Sequence, residues 1–266
     1  MTTSEMVVSS RANARVKQLR AAFAGQSRLS GGLIAIEGEH LLEEALRSGM
    51  ILKTVFVSER RGVPKAVPRE VDVVRLTEDV FASAVETLAP QGIAALMVPP
   101  VFGLDDVMVS AGTAALILIA AGLQDPGNLG ALVRSAEAFG ASGVLTTPGT
   151  VSAWNQKALR ASVGSVFRVP VVGVTASELI DVKKRGVKLL AAVGVDGVSV
   201  AEMDFHGACA VMIGNEGSGL TAEWLEMSDA KVTIPCPGPV ESLNAAVAGS
   251  LLLYEARRQR NDGFLR

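Results

Sequence analysis

Cysteine is almost missing from this sequence. Cys209 and Cys236 are the two in 266 residues, and no C-x-x-C or zinc-like spacing joins them. That argues against a disulfide framework and a metal cluster, and points to a reducing cytoplasm. Aromatic residues make up 4% against 49% hydrophobic residues overall, so the packed cores must be aliphatic and rich in alanine. No surplus of positive charge exists either. The formal net charge of −2 excludes a protein that coats nucleic acid non-specifically and leaves any such contact to a local basic patch. Long apolar runs are lacking. The longest, around Ala114 to Ala121, is too short to span a bilayer and reads as a buried strand. The start, MTTSEMVVSSRANARVKQL, has no apolar core of signal-peptide length.

What is there alternates between strand and helix patterns. The opening segment is basic, with Arg11, Arg15, Lys17, Arg20 and Arg28, and Val16, Leu19 and Phe23 fall at helical spacing. This reads as a short amphipathic helix. Its charges are the local basic patch that a nucleic-acid contact would need, or else an ordinary solvated face. Strand, helix, strand, strand, helix and strand follow from Leu33 to Val98, with Thr77 as an N-cap before a helix through TEDVFASAVETL. We read residues 1–100 as one α/β domain and 101–113, with Pro99 and Pro100 before it and Gly103 inside it, as a linker. Residues 114–266 alternate more regularly, which predicts a mostly parallel sheet covered on both faces.

Three loops carry the chemistry. DPGNLGALVRSAEAFGASGVL, 125–145, has neither the P-loop nor the dinucleotide fingerprint. It offers Asn128, Gly130 and Arg134, with Gly130 in the first helical turn where a missing side chain lets a partner approach. IGNEGSGL, 213–220, follows an apolar strand and sets Glu216 among glycines, at the strand end where open α/β sheets bind ligands. IPCPGPVESLNAAVAGSLLLYEA, 234–256, is stiffened by prolines and places Ser242 and Asn244 at the start of a helix of small residues. Taken singly, each has a plain structural alternative: a surface arginine, a turn, and a helix capped by Ser242.

Taken in order, N-x-G-x-x-x-R-[ST]-A, G-x-E-x-x-G-L and I-P-x-x-G-x-x-x-S-L-N-x-x-x-A resemble the SpoU (TrmH-like) branch of the SPOUT RNA methyltransferases, over about 109–266. The resemblance implies an α/β SPOUT domain with a deep trefoil knot and a smaller N-terminal α/β substrate-binding domain. It implies S-adenosylmethionine held at Gly214, Ile234 and Leu243, with the loop near Val193 also in contact. It implies Arg134 as the catalytic arginine, with Asn128, Glu216, Ser242 and Asn244 as its polar shell. The activity implied is methyl transfer to a ribose 2′-hydroxyl of RNA, ribosomal RNA before transfer RNA, in the cytoplasm, with no metal and no membrane. The alternative class is a non-catalytic RNA-binding or ribosome-assembly protein on the same fold. RNA is expected on Arg11, Arg15, Lys17 and Arg20, supplemented by Arg28 and the tail arginines Arg257, Arg258 and Arg260. His206 reads as structural, and Cys236, without a histidine partner, is not read as a nucleophile. The last helix is apolar on most sides, with Leu243, Val247, Leu251 and Tyr254 in one stripe, so a homodimer through this domain is expected.

Overall fold

Short β-branched and aliphatic runs build two separate sheets. The structure, a computed structural model, describes residues 7–109, 114–239 and 242–260, without the side chains of residues 27 and 28. The chain divides into two units, Met1–Val101 and Phe102–Arg266.

The first unit contains β1 (Val7–Val8), α1 (Ala14–Phe23), α2 (Ser27–Ser30), β2 (Ile34–Glu37), α3 (Glu39–Arg47), β3 (Leu52–Ser58), β4 (Asp72–Leu76), α4 (Glu78–Ala82) and β5 (Ile93–Met97). Its strands lie in the order β1-β4-β3-β5-β2. β1, β4 and β3 run parallel, and β5 is antiparallel to both neighbours. Asn13 caps α1 by accepting from the Arg15 N–H. Val16, Leu19 and Phe23 then bury against Phe56, Leu76, Phe81 and Leu96. The helix expected through Leu88 stops at Ala82. Ser83 Oγ donates to the Val80 carbonyl, a local bond that competes with continuing the helix, and Thr77 makes no side-chain cap bond.

The second unit begins inside the stretch read as linker. There α5 (Leu104–Met108) forms, with the Asp106 carboxylate accepting from the Gly103 N–H. Fully buried Val107 joins the second core, close against Gly143, so this segment is packed structure. The elements that follow are β6 (Leu116–Ala120), α6 (Pro126–Ala138), β7 (Gly143–Thr146), α7 (Gln156–Ser162), a 3-10 turn (Ser165–Phe167), β8 (Val171–Gly173), α8 (Ala176–Lys184), β9 (Lys188–Ala192), β10 (Val198–Ser199), β11 (Cys209–Ile213), α9 (Ala222–Met227), β12 (Ala230–Thr233) and α10 (Ala245–Arg260).

All strand pairs of this seven-stranded sheet are parallel, in the order β10-β12-β9-β11-β6-β7-β8. β6 and β11 lie at its centre and are buried at every position, as two-sided coverage requires. From β6 the chain builds outward through β7 to β8. It then crosses to β9 and comes back with β11 into the gap beside β6. The carboxyl ends of β9, β11 and β12 meet near this reversal, where open α/β sheets leave a crevice. After β12 the chain returns as α10 and lays Gly249 against Leu132 of α6 and Ile213 of β11; a Cβ there would stand 2.4 Å from Leu132 Cδ2.

Candidate active site

The first loop is fixed by its own side chains. Asp125 caps α6, its Oδ1 accepting from the Asn128 N–H at 3.0 Å, and Pro126 occupies the first turn. Lys157 Nζ lies 2.7 Å from Asp125 Oδ2, and that hydrogen bond, with the bond from Asn128 N–H, holds the Asp125 carboxyl below its ordinary range. Upstream, the Gly122 N–H donates to Thr147 Oγ1 and Thr150 Oγ1. Gly130 is where α7 comes closest. A Cβ there would stand 2.3 Å from the Ala158 carbonyl oxygen and 2.7 Å from Ala161 Cβ, so the partner that needs glycine is α7.

The second loop docks onto the first. A Cβ on Gly214 would stand 2.3 Å from Gly219 C and 2.4 Å from Leu220 N, so only glycine lets the loop fold back on itself. Asn215 and Gly219 exchange backbone hydrogen bonds, while Asn215 Oδ1 accepts from the Gly217 and Ser218 N–H groups. Asn215 Nδ2 donates to the Gly122 carbonyl at 2.9 Å. Glu216 Oε1 accepts from Asn128 Nδ2 at 3.0 Å and from the Asp125 N–H at 3.2 Å, and Oε2 accepts from the Gln124 N–H at 3.3 Å. Burial pushes the Glu216 carboxyl up, but these donors outweigh it and leave it below the usual carboxylate range.

The third loop completes the chain of amides. Asn244 Nδ2 donates to Asn128 Oδ1 at 3.0 Å, and its own Oδ1 accepts from the Ala246 and Val247 N–H groups. Asn244 therefore caps α10, and the capping role read for Ser242 falls to its neighbour two positions on, because α10 begins at Ala245. The polarity of the network is set at one end by the carboxylate. Glu216 can only accept, so Asn128 must point its NH₂ there and its oxygen at Asn244.

Beside this network lies a cavity of about 340 Å³. Gly214, Ile234 and Leu243 line it, as do Val193, Glu216, Ser242 and Cys236. Asn128 and Asn244 sit behind Glu216 and are not on its wall. Arg134 is separate from all of these. It is exposed on α6 and, among the described residues, makes no hydrogen bond or ion pair. Sequence reasoning missed Asp125, Asn215 and Lys157. Asp125 carried a signal, an N-cap residue before Pro126, whereas nothing local marked Lys157. His206 pairs with Asp204 on an exposed turn. Among the described residues no group of three or more His, Cys, Asp or Glu is placed to hold a metal, and no helix is long and apolar enough to cross a membrane.

The basic candidates divide. Arg15 pairs with Asp72 at 2.6 Å and donates to Thr54 Oγ1, and Arg20 donates to Ser83, so both are engaged inside their own unit. Arg11 and Lys17 are exposed, and the Arg28 side chain lies outside the described residues. In the tail, Arg258 pairs with Glu255. Arg260 donates to the carbonyls of Ala114, Ala115, Phe205 and Gly207, so it latches α10 to the sheet and is not free for RNA. On the outer face of α10, Val247, Leu251 and Tyr254 are exposed and, with Ala131 and Phe139, line an apolar groove of about 370 Å³.

Residues 115–254 match the SpoU rRNA Methylase family, and residues 13–95 match the MRM3-like substrate binding domain. The chain is 36% identical over 251 residues to the 23S rRNA (guanosine(2553)-2′-O)-methyltransferase RlmP of Bacillus subtilis, covering 94% of this chain and 98% of that one. The solved structure of the SpoU methyltransferase AviRb of Streptomyces viridochromogenes, in complex with the cofactor AdoMet, superposes with a TM-score of 0.83 at 29% identity, covering 94% of this chain and 99% of that one. An AdoMet-bound rRNA methyltransferase from Sinorhizobium meliloti gives 0.84 at 27% identity, covering 97% and 99%.

Proposed function

Because the chain belongs to the SpoU rRNA methylase family, we propose that it transfers a methyl group from S-adenosylmethionine to a ribose 2′-hydroxyl of large-subunit ribosomal RNA in the cytoplasm. The observation that carries this is the cavity made by three loops at the sheet's carboxyl edge, with the Glu216–Asn128–Asn244 chain fixed behind it.

The residues present fit that cofactor. Ile213, Val232, Ile234, Leu243 and Ala248 give apolar walls for a purine, and the glycines of 214–219 expose backbone groups to a ligand's polar edges. Gly214, Ile234 and Leu243 would hold it, with Val193 on the opposite loop. Bound there, the cofactor supplies an electrophilic methyl on sulfur. The chain's own part is position and charge. Asp125, Asn215 and Glu216 lock the first two loops together, and Asn128 passes that order to Asn244 and the third. Ser242 stands on the cavity wall as a polar contact for the ribose. The Arg134 guanidinium offers donors and no acceptor, so it acts as a clamp on phosphate or on the forming alkoxide and not as a base.

A homodimer belongs to the same reading. The apolar stripe on α10 is supported as its interface by Ala131, which lines the groove one helical turn before Arg134, so a second copy seated there lies next to the arginine. Leu251→Glu should yield monomers by light scattering. The deep trefoil knot is also part of this proposal, supported by the return of α10 from outside β9 onto β11 and α6. The deciding assay is methyl incorporation from the cofactor into an unmodified 23S rRNA transcript, mapped to the ribose. No incorporation, together with no thermal shift on adding the cofactor, would overturn the reading.

A further inference from the structure

In the first unit, the loop 83–92 ends in an apolar tip that nothing covers. Leu88 is as exposed as in an extended chain, at 106%, and Ala89 and Pro90 beside it are exposed too. The base of the loop is fixed nonetheless. Glu37, only 5% exposed, takes Thr87 Oγ1 on both carboxylate oxygens, at 2.8 and 2.7 Å, and the Gln91 N–H on Oε1 at 3.0 Å. Burying a carboxylate is costly unless donors surround it, and these donors belong to the loop itself. Two glycines let side chains close over the same base. At Gly38 (φ +97°) a Cβ would stand 2.6 Å from Gln91 Oε1, and at Gly92 (φ +78°) it would stand 2.8 Å from Arg61 Cγ. The Arg61 stem therefore lies on the loop, and Arg75 holds the Arg61 carbonyl at 3.0 Å. The exposed guanidinium of Arg61 has no carboxylate partner among the described residues, and neither has Arg60. Neighbouring Glu59 accepts from the Glu78 N–H.

We propose that this loop is an RNA contact, in which Leu88, Ala89 and Pro90 pack on the face of an unpaired nucleotide and Arg61 meets its phosphate. Glu37 is the positioning residue that holds the loop for this. The proposal rests on the RNA reading above. An unpaired base fits better than a protein partner for two reasons. A tip of three small apolar residues is far below the roughly 800 Å² per partner that a stable protein interface buries. Arg61, whose stem lies on the loop at Gly92, has no carboxylate partner among the described residues, and an apolar tip with an unpaired cation at its base suits a nucleotide's base and its phosphate. Sequence-specific RNA recognition targets such splayed-out bases in single-stranded loops and bulges.

The test uses the full chain, an unmodified 23S rRNA transcript, and fluorescence anisotropy alongside methyl-transfer kinetics. Leu88→Asp should raise Kd and KM for the transcript about tenfold, the scale of one apolar side chain's burial, with kcat and cofactor affinity unchanged. Arg61→Ala should flatten the salt dependence of log Kd by about 0.7. Glu37→Ala removes the acceptor of both Thr87 Oγ1 and the Gln91 N–H. It should weaken RNA binding less than Leu88→Asp does, and it should speed hydrogen exchange at residues 87–91 in the free protein. Ile51→Asp, at an exposed apolar site beside the opposite end of β3, should change nothing. If the parent methylates the transcript and Leu88→Asp binds it equally well, or if Ile51→Asp loses as much, the loop proposal falls alone. A parent that neither binds nor methylates RNA overturns the functional reading itself.

Discussion

Gly130→Ala separates the role of α6 as a scaffold from its role as a carrier of side chains. An added methyl would stand 2.3 Å from the Ala158 carbonyl oxygen, where ordinary contact begins at 3.4 Å, so α6 and α7 must separate by about 1 Å. The obstructing atom belongs to the backbone and cannot rotate aside. Overpacking of this kind costs about 1–3 kcal/mol. Replacing glycine by alanine inside a helix returns about 1 kcal/mol. The net loss is then about 0–2 kcal/mol, and each kcal/mol lowers Tm by about 2–4 °C in a unit of this size. The effect on transfer should be larger. Asn128 and Arg134 ride on α6, and a displacement of about 1 Å at reacting groups costs about 100-fold in rate. Thermal unfolding and single-turnover methyl transfer with saturating cofactor measure the two effects. A variant that is fully active with raised Tm would refute the claim that close packing of α6 on α7 positions the site.

Much of this arrangement was legible because burial leaves plain marks. LILIA and CAVMI are continuous apolar runs since both faces of β6 and β11 are covered, and the loops after them are marked by glycine and proline. β8 and β10 were not legible. Strands of three and two residues at the sheet's ends have no room for a period and exist through hydrogen bonds to β7 and β12. α5 hid behind Pro99 and Pro100, although Gly103 and Asp106 formed a capping pair. Charge patterns misled most. Arg15, Arg20 and Arg260 looked free because their partners, Asp72, Ser83 and the carbonyls of 114–115 and 205–207, are distant in sequence. In the site, residue types at loop ends were readable, but the direction of donation through Asn128 depends on three loops meeting and is a property of the fold alone.

Arg134→Ala should abolish methyl transfer and leave calorimetric cofactor affinity intact, because the arginine lies off the cavity wall. Arg260→Ala should lower stability of the second unit by about 2 kcal/mol through its lost charged hydrogen bonds, with RNA affinity unchanged in binding assays. Glu216 has a lowered pKa in the folded chain, so its contribution is complete above the usual carboxylate range and is lost as pH falls through the depressed value. The Tm difference between wild type and Glu216→Gln should accordingly stay constant from neutral to mildly acidic pH and vanish only in stronger acid. Asn244 does two things at once, capping α10 through Oδ1 and donating to Asn128 through Nδ2. Aspartate caps a helix as well as asparagine does but has no N–H to donate. Asn244→Asp should therefore keep α10 and lose the amide chain, with stability within about 1 kcal/mol of wild type and transfer strongly reduced. Asn244→Ala should lose the cap as well, at a further cost of about 1 kcal/mol. Full transfer by Asn244→Asp would mean that the bond to Asn128 is incidental and that Asn244 serves α10 alone.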